Sequence, residues 1–143
     1  MSDLSIGELS RRVNVKVPTI RYYEEIGLLR SPARTEGRQR RYDSSAVSRL
    51  AFIRHARDLG FEVGAIRELL GLSEQPEGPC EPADQIVMRH LDAVDRRIAH
   101  LTALRTELCR MLETCDHGQI RACRIIQVLG DHALCETDHL APA

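Results

Sequence analysis

The stretch Ser5-Ile-Gly-Glu-Leu-Ser-Arg-Arg-Val-Asn-Val-Lys-Val-Pro-Thr-Ile-Arg-Tyr-Tyr-Glu-Glu-Ile-Gly27 predicts two short helices joined by a tight turn. Ser5 stands three residues before Glu8, the spacing of a helix-capping box, and apolar residues then recur at helical intervals. Pro18 suits the beginning of a second helix over Thr19 to Ile26, which Gly27 ends. This order is the outline of a helix-turn-helix.

The next segment, Leu28 to Tyr42, contains proline, glycine and a string of arginines, so it predicts a loop or two-stranded wing that forms no buried element. A third helix over Ala46 to Leu59, capped by Ser44 or Ser45, and a fourth over Val63 to Leu70 follow. We therefore predict one domain over residues 1–72 and, from its proline and glycine, a linker over 73–82.

A long helix is predicted over residues 83–113, because 83–112 contains neither proline nor glycine. Its apolar residues follow the heptad spacing of a coiled coil at Leu91, Val94, Ile98, Leu101, Leu108 and Leu112, with Arg105 as a polar interruption. One helix cannot bury this stripe alone. We expect it to form a homodimer; the alternative is that the helix folds back on its own N-terminal domain.

Cysteines flank the long helix. Cys80 precedes it, and Cys115 and Cys123 close a polar loop that leads into a short helix within residues 114–130. Thiolates favour soft or borderline ions, so the three cysteines predict a metal site. Cys109 lies inside the helix and is predicted to pack, while residues 131–143 are predicted to form a flexible tail.

Charge is divided unevenly along the chain. Arg11 to Arg57 holds 12 Lys/Arg against 4 Asp/Glu, which leaves 8 against 17 elsewhere. The basic part suits a polyanion such as double-stranded DNA. No apolar run is long enough for a membrane span and the N-terminus lacks the features of a signal peptide, so we expect a cytoplasmic protein with reduced cysteines and no membrane partner.

DNA-binding candidates follow from this layout. Side chains near the start of the second helix can enter a major groove, and basic side chains of the wing and third helix can contact phosphates. The candidates are Thr19, Arg21, Tyr22, Arg38, Arg40, Arg41, Tyr42, Arg54 and Arg57.

Four motifs resemble the MerR family of transcriptional regulators: Ile6-Gly-Glu-Leu9, Thr19-Ile-Arg-Tyr-Tyr-Glu-Glu-Ile-Gly-Leu-Leu29, Arg40-Arg-Tyr42 and Ile53-Arg-His-Ala-Arg-Asp-Leu-Gly-Phe61. The resemblance implies a mainly all-α fold with a winged helix-turn-helix, an antiparallel coiled-coil dimer and a C-terminal effector region. It also implies a regulator that binds a palindromic promoter with a long spacer and, with effector, distorts the DNA so that RNA polymerase can open it. Thr19, Arg21, Tyr22, Arg40, Tyr42 and Arg57 match usual DNA contacts of the family.

The resemblance also bears on the metal. In an antiparallel dimer, Cys80 of one chain can join Cys115 and Cys123 of the other. Copper(I) sensors of the family use the two loop cysteines and usually carry Ser where Cys80 stands, so a third thiolate favours a divalent ion: zinc, cadmium, lead or mercury. Copper(I) remains the alternative.

Some cadmium and lead sensors of the family have a second site, for which Asp84, His90, Cys135 and His139 are the candidates here. Asp116 or His117 is an alternative fourth ligand of a tetrahedral zinc site.

Other functions find less support. A thiol redox sensor is an alternative, but an iron–sulfur cluster of this family needs four cysteines in a loop that has two. Drug sensing would need a large domain after the coiled coil. A zinc hydrolase would need an open metal position, a general base and a substrate cleft, and no such constellation is present in the sequence, so we predict no enzyme.

Overall fold

The computed structural model describes residues 3–32, 41–115, 117–135 and 139, and within them the chain is helical. The α-helices are α1 (Ile6–Val13), α2 (Val17–Glu25), α3 (Ser44–Asp58), α4 (Val63–Ser73), α5 (Glu81–Thr114) and α6 (Arg124–Gly130). Single 3₁₀ turns occur at Ile120–Ala122 and His132–Leu134. In the described ranges the strand pairing is limited to a bridge between Leu4 and Tyr42. The prediction of a mainly all-α fold is confirmed.

The predicted capping box begins α1. The Ser5 backbone N–H donates to Glu8 Oε2 over 2.7 Å, and the Glu8 N–H donates to Ser5 Oγ over 3.2 Å. The helix ends at Asn14, whose φ of 59° is left-handed, a conformation that Asn tolerates better than most residues. This turn separates α1 from α2.

The third helix begins earlier than predicted, and neither Ser44 nor Ser45 caps it. Asp43 is the cap: its Oδ1 accepts from the Ala46 N–H over 3.0 Å and from the Ser45 hydroxyl over 2.7 Å. These two hydrogen bonds, the Ser45 hydroxyl first, lower the pKa of Asp43. Both serines lie in the first turn because α3 starts at Ser44.

The chain divides into two units, residues 1–86 and 87–143. The first unit has a core that includes Leu9, Ile20, Leu50, Ile53 and Ile66, all fully buried. Because these side chains come from α1 to α4, the four short helices pack around one centre.

Leu28, Leu29 and Tyr42 also lie in this core, so the prediction that Leu28 to Tyr42 forms no buried element is wrong. The segment begins and ends inside the domain. Residues 33–40, where a wing was predicted, lie outside the described residues.

Helix α5 extends two residues beyond each predicted end of the helical run 83–112, and α4 continues to Ser73. The predicted linker of 73–82 therefore reduces to residues 74–80. Ile86, in the second turn of α5, is only 4 % exposed and belongs to the core of the first unit. Cys80 and the beginning of α5 are thus part of the first unit.

The C-terminal segment is attached to α5. Arg110 Nη2 donates to the Leu134 carbonyl over 3.1 Å, and the Arg110 guanidinium also pairs with Glu107, which is 2 % exposed. The predicted flexible tail is therefore wrong for residues 131–135, which form a turn fixed on the helix. Among the described residues, no helix combines the length and apolar character needed to cross a membrane.

Candidate metal centre and DNA interface

The loop that follows α5 brings two thiols together. Cys115 Sγ and Cys123 Sγ lie 3.9 Å apart, and both side chains are half-buried. With Zn–S bonds of about 2.3 Å, two thiolates would be separated by about 3.8 Å in a tetrahedral site, about 4.0 Å in a trigonal site and about 4.6 Å in a linear one. All three separations lie within a small side-chain movement of the observed distance, so the two thiols are placed to hold one metal ion together.

No third metal-ligating side chain joins this pair within the described part of the chain. His117 lies in the same loop with a left-handed φ of 58° and is exposed, and Asp116 lies outside the described residues. Two thiolates alone leave a divalent ion with open positions.

Cys80 is exposed immediately before α5, with its Sγ 3.7 Å from Asp84 Oδ1. The Ala83 and Asp84 N–H groups donate to the Cys80 carbonyl, so the residue is fixed at the N-terminus of α5. Cys80 is accessible to a ligand or to a second chain.

Residues of the predicted second site separate into two places. Asp84 lies in the first unit beside Cys80, whereas Cys135 and His139 lie in the second unit. His90 is half-buried on α5 and is not grouped with them.

Cys135 and His139 instead come together with His132, which the sequence analysis missed. The ligand atoms of these three residues all lie within 4.8 Å of one another. Partial burial raises the pKa of the Cys135 thiol, and Glu107 raises it further through a hydrogen bond and its charge. The spacing His132-x2-Cys135-x3-His139, typical of metal ligands on turns, was the available signal.

The predicted DNA-reading side chains lie near the start of α2. Arg21 is exposed, Tyr22 is 50 % exposed and Thr19 is half-buried, while Ile20 and Tyr23 on the opposite face are buried. The helix therefore presents polar groups outward at its N-terminal turns, as a recognition helix requires.

The arginines around this helix differ in their contacts. Arg54 Nη1 donates to the Val13 carbonyl over 3.1 Å, and Arg57 Nη1 donates to the Phe61 carbonyl over 2.9 Å. Both residues keep further guanidinium N–H groups for a phosphate. Arg41 is half-buried, and Arg38 and Arg40 lie outside the described residues.

The position of Tyr42 differs from the predicted DNA face. Its side chain is fully buried, and its hydroxyl donates to Glu24 Oε1 over 2.7 Å. The Tyr42 backbone pairs with Leu4 in both directions. The burial of its ring and the hydrogen bond of its hydroxyl place the Tyr42 side chain in the core rather than on the surface.

Known proteins resemble this chain over most of its length. A family model described as MerR HTH family regulatory protein matches residues 4–72, and one described as MerR, DNA binding matches residues 47–111. The HTH-type transcriptional regulator ZntR of Escherichia coli (strain K12) is 41 % identical over 128 residues, covering 87 % of this chain and 90 % of the relative. The chain belongs to the MerR family.

Two solved MerR-family regulators have a similar fold. PbrR691 from Ralstonia metallidurans CH34, in complex with lead(II), has a TM-score of 0.78 at 38 % identity and covers 88 % of this chain and 98 % of its own. MerR from Bacillus megaterium MB1, in complex with mercury(II), has a TM-score of 0.68 at 30 % identity, with 89 % and 99 % covered. MerR-family proteins are transcriptional regulators rather than enzymes, which confirms the predicted class.

Proposed function

We propose that this chain is a metal-responsive regulator that activates a promoter when a soft or borderline divalent ion binds Cys115, Cys123 and the partner chain's Cys80. The observation that carries the proposal is the pair of loop thiols 3.9 Å apart. Solved relatives that contain lead(II) and mercury(II) support the same class of ion. Among zinc, cadmium, lead and mercury, the donor set does not favour one, because all accept thiolates.

The third ligand is expected from a second chain. Cys80 directly precedes and Cys115 directly follows α5, a continuous helix of 34 residues. A helix of that length spans about 50 Å, so thiols at its two ends cannot hold one ion within one chain. In an antiparallel dimer, the start of one such helix meets the end of the other.

A dimer through α5 is supported by the exposure of its predicted seam. Leu91, Ile98, Leu101, Leu108 and Leu112 are each 56–62 % exposed in the single chain. Burying one such side chain stabilises an assembly by about 1.5–3 kcal/mol. Arg105 interrupts this seam and would favour one register.

The proposed ion would join units with different tasks. Cys80 and Ile86 belong to the DNA-binding unit, whereas Cys115 and Cys123 belong to the second unit. An ion held by both sets would therefore restrain the DNA-binding unit of one protomer against the loop of its partner. Such a restraint supplies a difference in metal affinity between two DNA-bound conformations, which shifts their populations.

The output is proposed to be promoter distortion. Arg21 and Tyr22 would contact one half of a palindrome in each protomer, and Arg57 and Arg54 the adjacent phosphates. Bending a site of 20–30 base pairs costs about 1–6 kcal/mol, which differential metal binding can offset. RNA polymerase in the cytoplasm would then open the distorted promoter.

The test is transcription in vitro from palindromic DNA that the protein selects from random sequence. Under reducing conditions, zinc, cadmium, lead, mercury and copper(I) are titrated against the wild type, Cys115→Ser and Cys123→Ser. At least one divalent ion should activate the wild type, and both variants should lose at least tenfold of that activation. Cys109→Ser, a thiol within α5, is the matched control and should respond normally.

Four results would contradict the proposal. Normal metal activation of Cys115→Ser would exclude the loop thiolates as ligands. Copper(I) as the strongest activator would overturn the divalent class, and activation by an oxidant without metal would favour a redox sensor. Arg21→Ala should weaken DNA binding with and without metal, and unchanged binding at physiological salt would disprove the DNA face.

A further inference from the structure

A second cluster of ligands lies in the C-terminal segment, apart from the loop thiols. His132 and Cys135 stand three residues apart across the 3₁₀ turn His132–Leu134, and side chains at this spacing eclipse on such a turn. The ring centroids of His132 and His139 are 5.0 Å apart. The turn aligns His132 with Cys135, and the imidazole of His139 lies beside that of His132.

From this cluster we propose a second metal site in each chain, with His132, Cys135 and His139 as ligands of a borderline divalent ion such as zinc(II). The ligand atoms lie within 4.8 Å of one another. A tetrahedral zinc site with Zn–N bonds near 2.0 Å and a Zn–S bond near 2.3 Å needs separations of about 3.3–3.5 Å. The ligand atoms would have to approach by at most about 1.3–1.5 Å, a shift within the reach of side-chain rotation, and His132 is exposed.

His139 gives a second reason for a ligand at this position. Its Nε2 atom is buried and has no hydrogen-bond partner within the part of the chain that the structure describes. A buried polar atom without a partner costs about 1–3 kcal/mol, and coordination of an ion would offset that cost. A neutral imidazole is a common zinc ligand.

The surroundings suit a cation and fix the cluster on α5. The buried Glu107 carboxylate lies beside Cys135, and Arg110, which pairs with Glu107, also donates to the Leu134 carbonyl. Three protein ligands leave the fourth position for water, so the ion would exchange more readily than in a closed four-ligand site. Two imidazoles with one thiolate form a harder donor set than the thiolates of the loop, so the chain would carry two sites of different metal preference.

The experiment uses full-length, tag-free chain with Cys80→Ser, Cys115→Ser and Cys123→Ser, which removes the loop site and separates this test from that of the proposed function. Cobalt(II) and zinc(II) are titrated under reducing conditions. We expect one tetrahedral cobalt(II) per chain, with both ligand-field and sulfur-to-cobalt charge-transfer absorption. Cys135→Ser in this background should abolish the charge-transfer band.

Adding His132→Ala and His139→Ala to the same background should weaken cobalt(II) binding at least tenfold, while His55→Ala, an exposed histidine on α3, should leave it unchanged. Unaltered helical circular dichroism shows that each variant is folded. Absence of binding in the triple-serine background would overturn the proposal, as would equal affinity after loss of both histidines or a six-coordinate spectrum.

Discussion

Tyr42 follows a run of arginines and is nevertheless one of the most buried side chains of the protein. Its hydroxyl donates to Glu24 on α2, and its backbone pairs with Leu4, so one residue connects three parts of the DNA-binding unit. Sequence alone indicated a surface residue because its neighbours are basic. Burial of the ring depends on tertiary packing, which local composition does not report.

Tyr42→Phe tests this role. The variant keeps the ring and removes the hydroxyl, so the free energy of unfolding should fall by about 1 kcal/mol, the usual value of a partly buried hydrogen bond. Urea denaturation measures the change. Tyr22→Phe, on a half-exposed ring of the same type, should leave stability unaltered. Unchanged stability with weakened DNA affinity in Tyr42→Phe would instead support a direct DNA contact.

Among the candidate metal ligands, His132 was not predicted from the sequence. Cys115 and Cys123 were recognisable because a polar loop of seven residues separates them, and the structure brings their sulfur atoms together. His132 escaped notice because residues 131–135 lack helical periodicity, although the turn they form aligns His132 with Cys135. The grouping of Cys135 with Asp84 and His90 rested on resemblance and stays a prediction.

At the scale of elements, the capping box of α1 was predictable because both of its hydrogen bonds are local. Two hydrogen bonds lower the pKa of Glu8 from its usual 4.5: the larger effect comes from the Ser5 backbone N–H and the smaller from the Ser5 hydroxyl. A carboxyl whose pKa is lower in the folded than in the unfolded chain stabilises the fold at every pH above its pKa in the unfolded chain. This stabilisation is lost as the pH falls through the pKa of the carboxyl in the folded chain.

Glu8→Ala should therefore be less stable than the wild type at pH 7, and the difference should narrow as pH falls below about 4.5. Urea unfolding at several pH values measures it. Glu8→Gln, which keeps a neutral acceptor, separates the hydrogen bond from the charge. A wild-type advantage that is constant down to pH 3 would contradict the capping role of the carboxylate.

The length of helix α5 and its apolar stripe were also predictable, since neither proline nor glycine interrupts its heptads. Its beginning was not: Ile86 packs in the first unit, and this depends on contacts with α1 to α4 that no spacing in α5 reveals. Glu107 and Arg110 bind the C-terminal turn on the same helix, while the residues of the predicted seam stay exposed.

Ile98→Asp tests the seam. Ile98 is 56 % exposed in the single chain, and a charge there should shift the protein from dimer toward monomer by at least tenfold in dissociation constant. Analytical ultracentrifugation measures the shift. Ala99→Asp places the same charge on the neighbouring residue, outside the heptad core, and should leave the dimer intact. Equal dimerisation of both variants would contradict a seam through Ile98.

At the scale of the whole molecule, one proposed ion connects metal binding at the thiol loop with distortion of the promoter. The start of α5 belongs to the DNA-binding unit, and the end of α5 leads into the thiol loop. The family, the fold class and the regulator function were accessible from sequence motifs. Cys80, Cys115 and Cys123 were also named from the sequence, whereas His132 was not, because its alignment with Cys135 depends on the turn between them.

Mixed dimers of Cys80→Ser chains with Cys115→Ser chains test the shared site most directly. If each site takes Cys80 from one protomer and Cys115 and Cys123 from the other, the mixed dimer has one site with all three thiolates and one with a single thiolate. With Cys135→Ser added to every chain to remove the proposed second site, tandem-tag purification followed by tag removal and metal titration should then give one tight ion per mixed dimer, and none in either homodimer. Absence of tight binding in the mixed dimer would contradict a site built between two chains.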